Sequence, residues 1–480
     1  MMRPLIFASA AVLMLGACAP TIRAVPPSAT VASPAAWRDP VPATTAEVDR
    51  DWWRLLGDPA IPQLVERALA NNIDVLMAIS RVEEAEALTR QARSARLPSL
   101  TASTTTGVQQ TLGQTGTASR RTFAQPGING AWSLDLFGRV RDLEGAARAR
   151  YVASQADRDA ARLAVISATL RGYVTLLSLA AQAEISRHTL SSREEALRIA
   201  NDRARLGYSS QFEMTQAQSE YEAVAQTIPV LEQALRVQEN ALRRLTGDLP
   251  GPVRRGTLES MTLPATPAGL SSTLLRRRPD LASAESSLVA ADRVLASRRA
   301  EFLPDVQLTG SVGALFVDAL HWNPATLWDV GASVLAPIYS GGRLTAEFDA
   351  ATAQRDQAAF AYRGAVLAAF GEVEDALSGE RRLREQVERV TRRRDILQRS
   401  LVLARDRYRG GYAAYIEELD AQRNLFQADL DAISVREQQL NALIQLWAAL
   451  GGGWEVNAVT ASPSQPATIM PARQQPEARR

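Results

Sequence analysis

Residues 303–343 read LPDVQLTGSVGALFVDALHWNPATLWDVGASVLAPIYSGGR, and their patterning decides the fold. Val306, Leu308, Gly310, Val312 and Ala314 share one face of an alternating run. After His321 to Pro324, a second run places Trp328, Val330, Ala332, Val334, Ala336 and Ile338 on one face as well. Period-two alternation bounded by turn residues predicts the two strands of a hairpin. Each strand is long enough to cross a bilayer at a tilt, which takes about 9 to 11 residues.

The same order of signals occurs earlier in the chain. Arg96-Leu97-Pro98-Ser99-Leu100 matches Phe302-Leu303-Pro304-Asp305-Val306 at a spacing of 206, as Ile73-Asp74 matches Pro279-Asp280. Gly138-Arg139 matches Gly342-Arg343, Gly207-Tyr208 matches Gly411-Tyr412, and Ala217-Gln218 matches Ala421-Gln422, all at 204. The chain is an internal duplication. The change in spacing falls inside the hairpin segment, where a loop tip absorbs length. The first hairpin is the more polar, with Thr101 to Thr106 going out, Gln109 to Arg121 as an exposed tip, and Ile128, Gly130, Trp132, Leu134 and Leu136 returning.

Past each Gly-Arg pair the period becomes helical for about 65 residues, roughly 100 Å at 1.5 Å per residue. Leu163, Ile166, Leu170, Tyr173, Leu177 and Ala180 step by three and four. So do Tyr221, Val224, Ile228, Leu231, Leu235, Gln238, Leu242 and Leu245, and Phe426, Leu430, Ile433, Glu437, Leu440, Ile444 and Trp447. Such stripes are coiled-coil seams. Pro229 predicts a kink in the second of them.

Composition excludes other chemistry. Of 480 residues, 46% are hydrophobic, enough for a large core, and 54 basic against 52 acidic groups leave a net charge of +2, with no basic field for nucleic acid. The sequence contains no lysine, so phosphate-loop and Schiff-base mechanisms are closed to it. Two histidines, His188 and His321, and one cysteine, Cys18, cannot build a Cys/His zinc site or a disulfide framework. No Ser-His-carboxylate arrangement stands out, so the reading assigns no catalytic residue, no metal site and no enzyme activity.

Arg3, the short apolar run Leu5 to Leu15 and the ending Leu15-Gly16-Ala17-Cys18 read as a signal peptide, too short to span a bilayer. The ending resembles a bacterial lipobox, which would make Cys18 the lipid-bearing first residue; the alternative is an ordinary secretory peptide with a chance cysteine. Ala19 in place of Asp favours the outer membrane. The expected layout is a signal peptide at 1–17, a lipidated N-terminal linker at 18–60, a first repeat at 61–250, a linker at 251–274, a second repeat at 275–453 and a disordered tail at 454–480.

Four membrane-length strands cannot close a barrel alone, and open edges are not tolerated in lipid. Three copies would give twelve strands with no edge. The long helices would then form a tube, and the molecule would be an oligomeric conduit. At this point the sequence resembles the outer membrane factor family, the TolC/OprM-like, NodT-type channel lipoproteins of tripartite RND efflux pumps. The resemblance rests on Trp132-Ser133-Leu134-Asp135-Leu136-Phe137-Gly138-Arg139, Arg277-Arg278-Pro279-Asp280, Pro337-Ile338-Tyr339-Ser340-Gly341-Gly342-Arg343, Tyr408 to Gln422 and Ala449-Leu450-Gly451-Gly452-Gly453-Trp454. It implies a mainly α chain with membrane β: long coiled-coil helices forming a periplasmic α-barrel, and four strands per chain in a 12-stranded trimeric β-barrel. It also implies a homotrimer anchored in outer-membrane lipid through Cys18, with no other cofactor, docking to a periplasmic adaptor (membrane fusion protein) and an inner-membrane RND transporter.

By the same resemblance the gate lies near Tyr408-Arg409-Gly410-Gly411 and its counterpart Arg205-Leu206-Gly207-Tyr208. Ile416, Glu417, Asp420 and Arg423 take the constriction positions. Helical spacing puts Ile416, Glu417 and Asp420 near one face. Arg423 and Arg407 are the expected counter-charges, and Glu213 is expected to pair with Tyr408. At Ala413 some members carry an arginine that helps hold the helices shut. Leu206, Gly207, Tyr208, Gly410, Gly411 and Tyr412 are expected to meet the adaptor. Small toxic compounds are the first expected cargo; type I protein secretion and metal-cation efflux remain alternatives, as does a periplasmic coiled-coil scaffold without a pore.

Overall fold

The structure is a computed structural model that describes residues 19–32, 34, 36–39, 49–112, 116, 118–264 and 277–454. The signal peptide, Cys18, residues 265–274 of the inter-repeat linker and the tail beyond Trp454 lie outside the described residues. In chain order the elements are α1 (Ala60–Asn71), α2 (Ile73–Ser94), β1 (Ser99–Leu112), β2 (Ala118–Leu134), α3 (Arg139–Arg205), α4 (Gln211–Ala225), α5 (Thr227–Leu245), α6 (Pro279–Ala300), β3 (Asp305–Val317), β4 (Ala325–Leu335), α7 (Arg343–Arg409) and α8 (Tyr415–Ala449). The duplication is exact in length where the helices are longest: α3 and α7 have 67 residues each, and α2 and α6 have 22 each. The chain divides into two compact units, the first from residues 1–30, 81–155 and 283–364, the second from residues 31–80, 156–282 and 365–480.

The first unit holds one antiparallel sheet in the order β1-β2-β3-β4. Its register aligns the apolar positions. Ala102 pairs with Ile128, Ile128 with Val312, Val312 with Trp328; Trp132 pairs with Leu308 and Leu308 with Ala332. Side chains of directly paired residues share a face, so one face is a continuous apolar surface. The other carries Thr101, Ser103, Asn129, Ser133, Gln307, Thr309, Ser311, Asp329 and Ser333. Trp328, Val330 and Val334 are exposed on the apolar side. The first tip is narrower than expected, because the ladder continues through Gln109–Arg121 to Leu112–Ala118; alternating Gln and Thr give no turn signal but pair readily as strand. Pro126 lacks an N–H to donate, and the β2–β3 pairing is interrupted there, between Ala124–Phe316 and Gly127–Gly313.

Turns at the strand ends launch the long helices. Gly138 and Gly342 have φ of +82° and +84°, and Asp135 accepts from the Val140 and Arg141 amides at 3.0 and 2.7 Å, capping α3. Leu295, Phe348 and Ala351, with Phe302 beside them, form the core next to the sheet. Along this unit Arg299 donates to the Pro20 carbonyl (2.9 Å) and buried Arg355 to that of Arg23 (2.8 Å), tying residues 20–23 down by their backbone.

In the second unit the predicted seams are buried. Ile166, Leu170, Tyr173 and Leu177 on α3, Leu242 on α5, and Leu440, Ile444 and Trp447 on α8 are all below one-tenth exposed. The polar residues in those seams are partnered: Glu437 accepts from Thr175 at 2.7 Å, and Gln238 donates to the Gly172 carbonyl at 2.8 Å. The expected kink divides one predicted helix into α4 and α5 at Gln226, one residue beyond Ala225, whose carbonyl Pro229 cannot serve. An 18-residue apolar window in α3 is 56% buried inside the protein, so core packing accounts for it.

Two of the quoted motifs meet in this unit. Buried Arg278 donates to the Ala449 carbonyl at the end of α8 (3.1 Å) and pairs with Asp280 and Glu372, both at 2.7 Å. Gly451, Gly452 and Gly453 all have positive φ, and Trp454, placed at the start of the tail in the sequence reading, donates to Asp159 at 2.9 Å. A β-carbon on Gly451 would collide with the Arg277 carbonyl oxygen. Gly451→Ala, strained in both backbone and contact, is therefore expected to destabilise the fold by about 1–3 kcal/mol, read as a lowered midpoint in denaturant unfolding of the purified protein. Gly364→Ala, which meets nothing within 4 Å, serves as the control.

Candidate functional site

The motif residues assigned to the gate come together where α3 and α7 end and α4 and α8 begin. Both long helices stop the same way. Gly207 N–H donates to the Ala204 carbonyl and Tyr208 N–H to that of Arg203; Gly411 and Tyr412 do the same to Tyr408 and Arg407. These paired bonds around a left-handed glycine, φ +78° and +76°, satisfy the last helical carbonyls and reverse the chain. The restarts differ. Ser210 caps α4 by accepting from the Glu213 amide, whereas Ala414 offers α8 no side-chain cap.

Between the four helix ends, Ala200, Ala217, Tyr415 and Leu419 form a small core, with Leu197 and Tyr408 against it. The Tyr408 ring lies 5.4 Å from that of Tyr415, and Arg203 stacks over it with its guanidinium carbon 5.3 Å from the ring centre. The Tyr408 hydroxyl accepts from Arg203 at 2.7 Å. The expected partner, Glu213, touches it only through its charge, and burial outweighs Arg203 in pushing the Tyr408 hydroxyl pKa up. Arg203, on the last turn of α3, reaches the ring as well as the hydroxyl, which Glu213 on the first turn of α4 does not.

The helix α8 splits its charges by face. Glu417, Asp420 and exposed Ile416 point outward, whereas Glu418, one residue on from Glu417, is 8% exposed. Arg407 lies 3.6 Å from Glu417 and Arg423 lies 3.4 Å from Asp420, so each expected counter-charge is beside its carboxylate. Inward, Gln422 donates to Glu418 at 3.0 Å and Arg405 to Glu418 at 3.3 Å. Arg193, 3% exposed, donates to Gln422 and lies 3.7 Å from Glu220, which also accepts from Arg423. Burial pulls the Arg193 pKa down, with Glu220 opposing; the hydrogen bond to Glu220 raises that of Arg423. Burial also raises the Tyr415 hydroxyl, which has no hydrogen-bond partner among the described residues.

Sequence reading missed Arg193, Arg203, Glu220, Arg405, Tyr415 and Glu418. The signal existed in part: in an antiparallel helical hairpin, residues equidistant from the turn face one another, which pairs Arg193 with Glu220 and Arg405 with Glu418. Nothing in the sequence links Arg193 to Gln422 or Glu220 to Arg423, since these contacts join the two repeats. At the tips, Leu206, Tyr208, Phe212 and Tyr412 are large apolar or aromatic side chains left exposed. Among the described residues no three His, Cys, Asp or Glu side chains are grouped to hold a metal ion.

The chain is similar to several known proteins. The model of the family described as outer membrane efflux protein matches residues 64–248 and again 270–452. The pyoverdine export outer membrane protein OpmQ of Pseudomonas aeruginosa is 31% identical over 461 residues, covering 93% of this chain and 96% of that protein. The toluene efflux pump outer membrane protein TtgI of Pseudomonas putida is 32% identical over 410 residues, covering 83% and 87%. The solved outer-membrane channel OprN superposes with a TM-score of 0.84 at 25% identity, over 91% of this chain and 99% of that one.

Arg193→Met removes one of the two arginines on buried Glu220 and the donor to Gln422, and is expected to cost about 1.5–3 kcal/mol. Arg198→Met, on the exposed face of the same helix with its ion pairs in solvent, is expected to leave the denaturant midpoint unchanged.

Proposed function

Because this chain belongs to the outer membrane efflux protein family, we propose that three copies close around one axis into a channel that receives small toxic compounds from a periplasmic adaptor and an inner-membrane RND transporter and releases them outside the cell. The protein is an outer-membrane efflux component with the long periplasmic helices of that fold. Its relatives are transport proteins, and its function is passage rather than catalysis. The observation that carries the trimeric reading is the sheet: four strands with a continuous apolar face and two unpaired edges, β1 and β4. In lipid such edges must be paired, and three copies supply the missing neighbours. Export of pyoverdine and of toluene by relatives at 31–32% identity favours small organic compounds over secreted proteins or metal cations as cargo.

The lipid anchor fits the same picture. Pro20 is fastened to Arg299, six residues before the start of β3, so an acyl chain on Cys18 would enter the bilayer where the strands do. A single lipid holds weakly, and the barrel supplies the rest. At the other end of the long helices, Glu417 and Asp420 of three chains would ring the axis. Two unit charges about 6 Å apart repel by roughly 1 to 3 kcal/mol at effective dielectrics from 80 to 20, and Arg407 and Arg423 offset this. Ile416 would narrow the same passage, and Arg203 and Tyr408 would hold the helix ends closed, with Glu213 adding charge beside them. The exposed tips at Leu206, Gly207, Tyr208, Gly410, Gly411 and Tyr412 would take the adaptor.

Two measurements test this. Asp420→Ala, alone or with Glu417→Ala, is expected to raise single-channel conductance in planar bilayers and to admit large antibiotics; unchanged conductance in a fully inserted trimer rejects the gate. Native mass spectrometry of the protein extracted from outer membranes is expected to give a trimer carrying lipid at Cys18. A stable monomer whose strands are labelled by water-soluble reagents on both faces rejects the channel itself.

A further inference from the structure

Arg423 stands between two carboxylates of different character. Its Nε donates to Glu220 at 2.8 Å and a terminal nitrogen makes a second, shorter contact with the same oxygen, whereas its other terminal nitrogen is 3.4 Å from Asp420. The Glu220 side chain is 10% exposed and that of Asp420 is 59% exposed. Attraction across a water-poor space is several times stronger than across solvent at equal distance, so the buried carboxylate holds the guanidinium more tightly and the exposed one is compensated only in part. Glu220 is itself fixed from the far side by buried Arg193, which is anchored by Gln422.

We propose that Glu220 is a positioning residue that sets the charge of the channel entrance: by holding Arg423 against α4 it limits the guanidinium to one long contact with Asp420, and the partly compensated carboxylate then selects for cations. The inference rests on the reading of Asp420 as a pore-facing residue and goes beyond it by assigning the control of its charge to a side chain on a different helix, away from the axis. Asp420 and Arg423 are three residues apart on one helix, close enough for a direct ion pair. Remove the charge at Glu220 and Asp420 becomes the charged partner nearest to Arg423 that is not already engaged.

The test is the reversal potential of the full-length trimer in planar bilayers under a KCl gradient, which gives the potassium-to-chloride permeability ratio. The wild type is expected to prefer potassium and Asp420→Asn to lose most of that preference. Glu220→Gln, which keeps an acceptor for both arginines, is expected to lose at least half of what Asp420→Asn loses. The double variant Glu220→Gln with Arg423→Gln is expected to regain the wild-type ratio or exceed it, because no guanidinium remains to cover Asp420. A merely structural role for Glu220 would leave the double variant as impaired as the single one, and that result overturns the inference. Arg423→Lys supplies an independent reading at an exposed position: its compact ammonium serves one carboxylate at a time, stays with Glu220, and is expected to keep or raise the potassium preference, whereas a fall to the Asp420→Asn level overturns it. An unchanged ratio in Asp420→Asn removes the pore-facing assignment and this inference with it. A reduced ratio in Asp420→Asn beside an unchanged one in Glu220→Gln removes this inference alone.

Discussion

Unpaired backbone groups along β1 and β4 are the constraint on which the rest of this protein depends. In water those edge amides and carbonyls bond to solvent; in hydrocarbon each one left unmet costs several kcal/mol. The sheet cannot escape the membrane either, because its apolar face runs unbroken from Ala102 through Ile128 and Val312 to Trp328. That cost is removed when each edge meets the opposite edge of another copy, which is the closure proposed above. Two 67-residue helices follow β2 and β4 in the chain.

Duplication gave both halves the same backbone, down to matching glycine turns at Gly207 and Gly411. The side chains then depart from symmetry. In the first half, the positions of Glu417, Asp420 and Arg423 are held by Glu213, Gln216 and Ser219. Asp420 and Arg423 therefore belong to one hairpin alone, while Glu220, the buried acid that engages Arg423, belongs to the other. Arg193 on α3 is likewise satisfied by Gln422 on α8. These contacts tie the two repeats where their helices turn, so a shift of one hairpin against the other must break a buried, hydrogen-bonded charge rather than slide past it. Breaking one partner of such a pair is far more costly than losing a solvated one.

Period and spacing carried a large share of the fold. Alternation located all four strands, the 204-residue repeat located both helical hairpins, and Pro229 located the division between α4 and α5. The reading of Gln109 to Arg121 as a tip was too wide, because polar strand residues resemble loop in composition while pairing as strand. At the candidate site, the counter-charges of Glu417 and Asp420 followed from separations along or across one hairpin, since local geometry dictates them. The partner of Tyr408 did not: Arg203 and Glu213 both flank the turn of the other repeat, and only the reach of the side chains from their helix ends selects Arg203.

What the sequence by itself determined is every feature that repeats with the period of a strand or helix or sits at a fixed distance from a turn: the strands, the long helices, the duplication and the exposed acidic face of α8. What only the tertiary structure decided is which buried charge answers which. Glu220 and Arg423 are 203 residues apart, as Arg193 and Gln422 are 229 apart, and a contact between elements of different repeats leaves no periodic trace. It exists because packed helices leave one low-dielectric space among them, and the charges that share that space must be paired there.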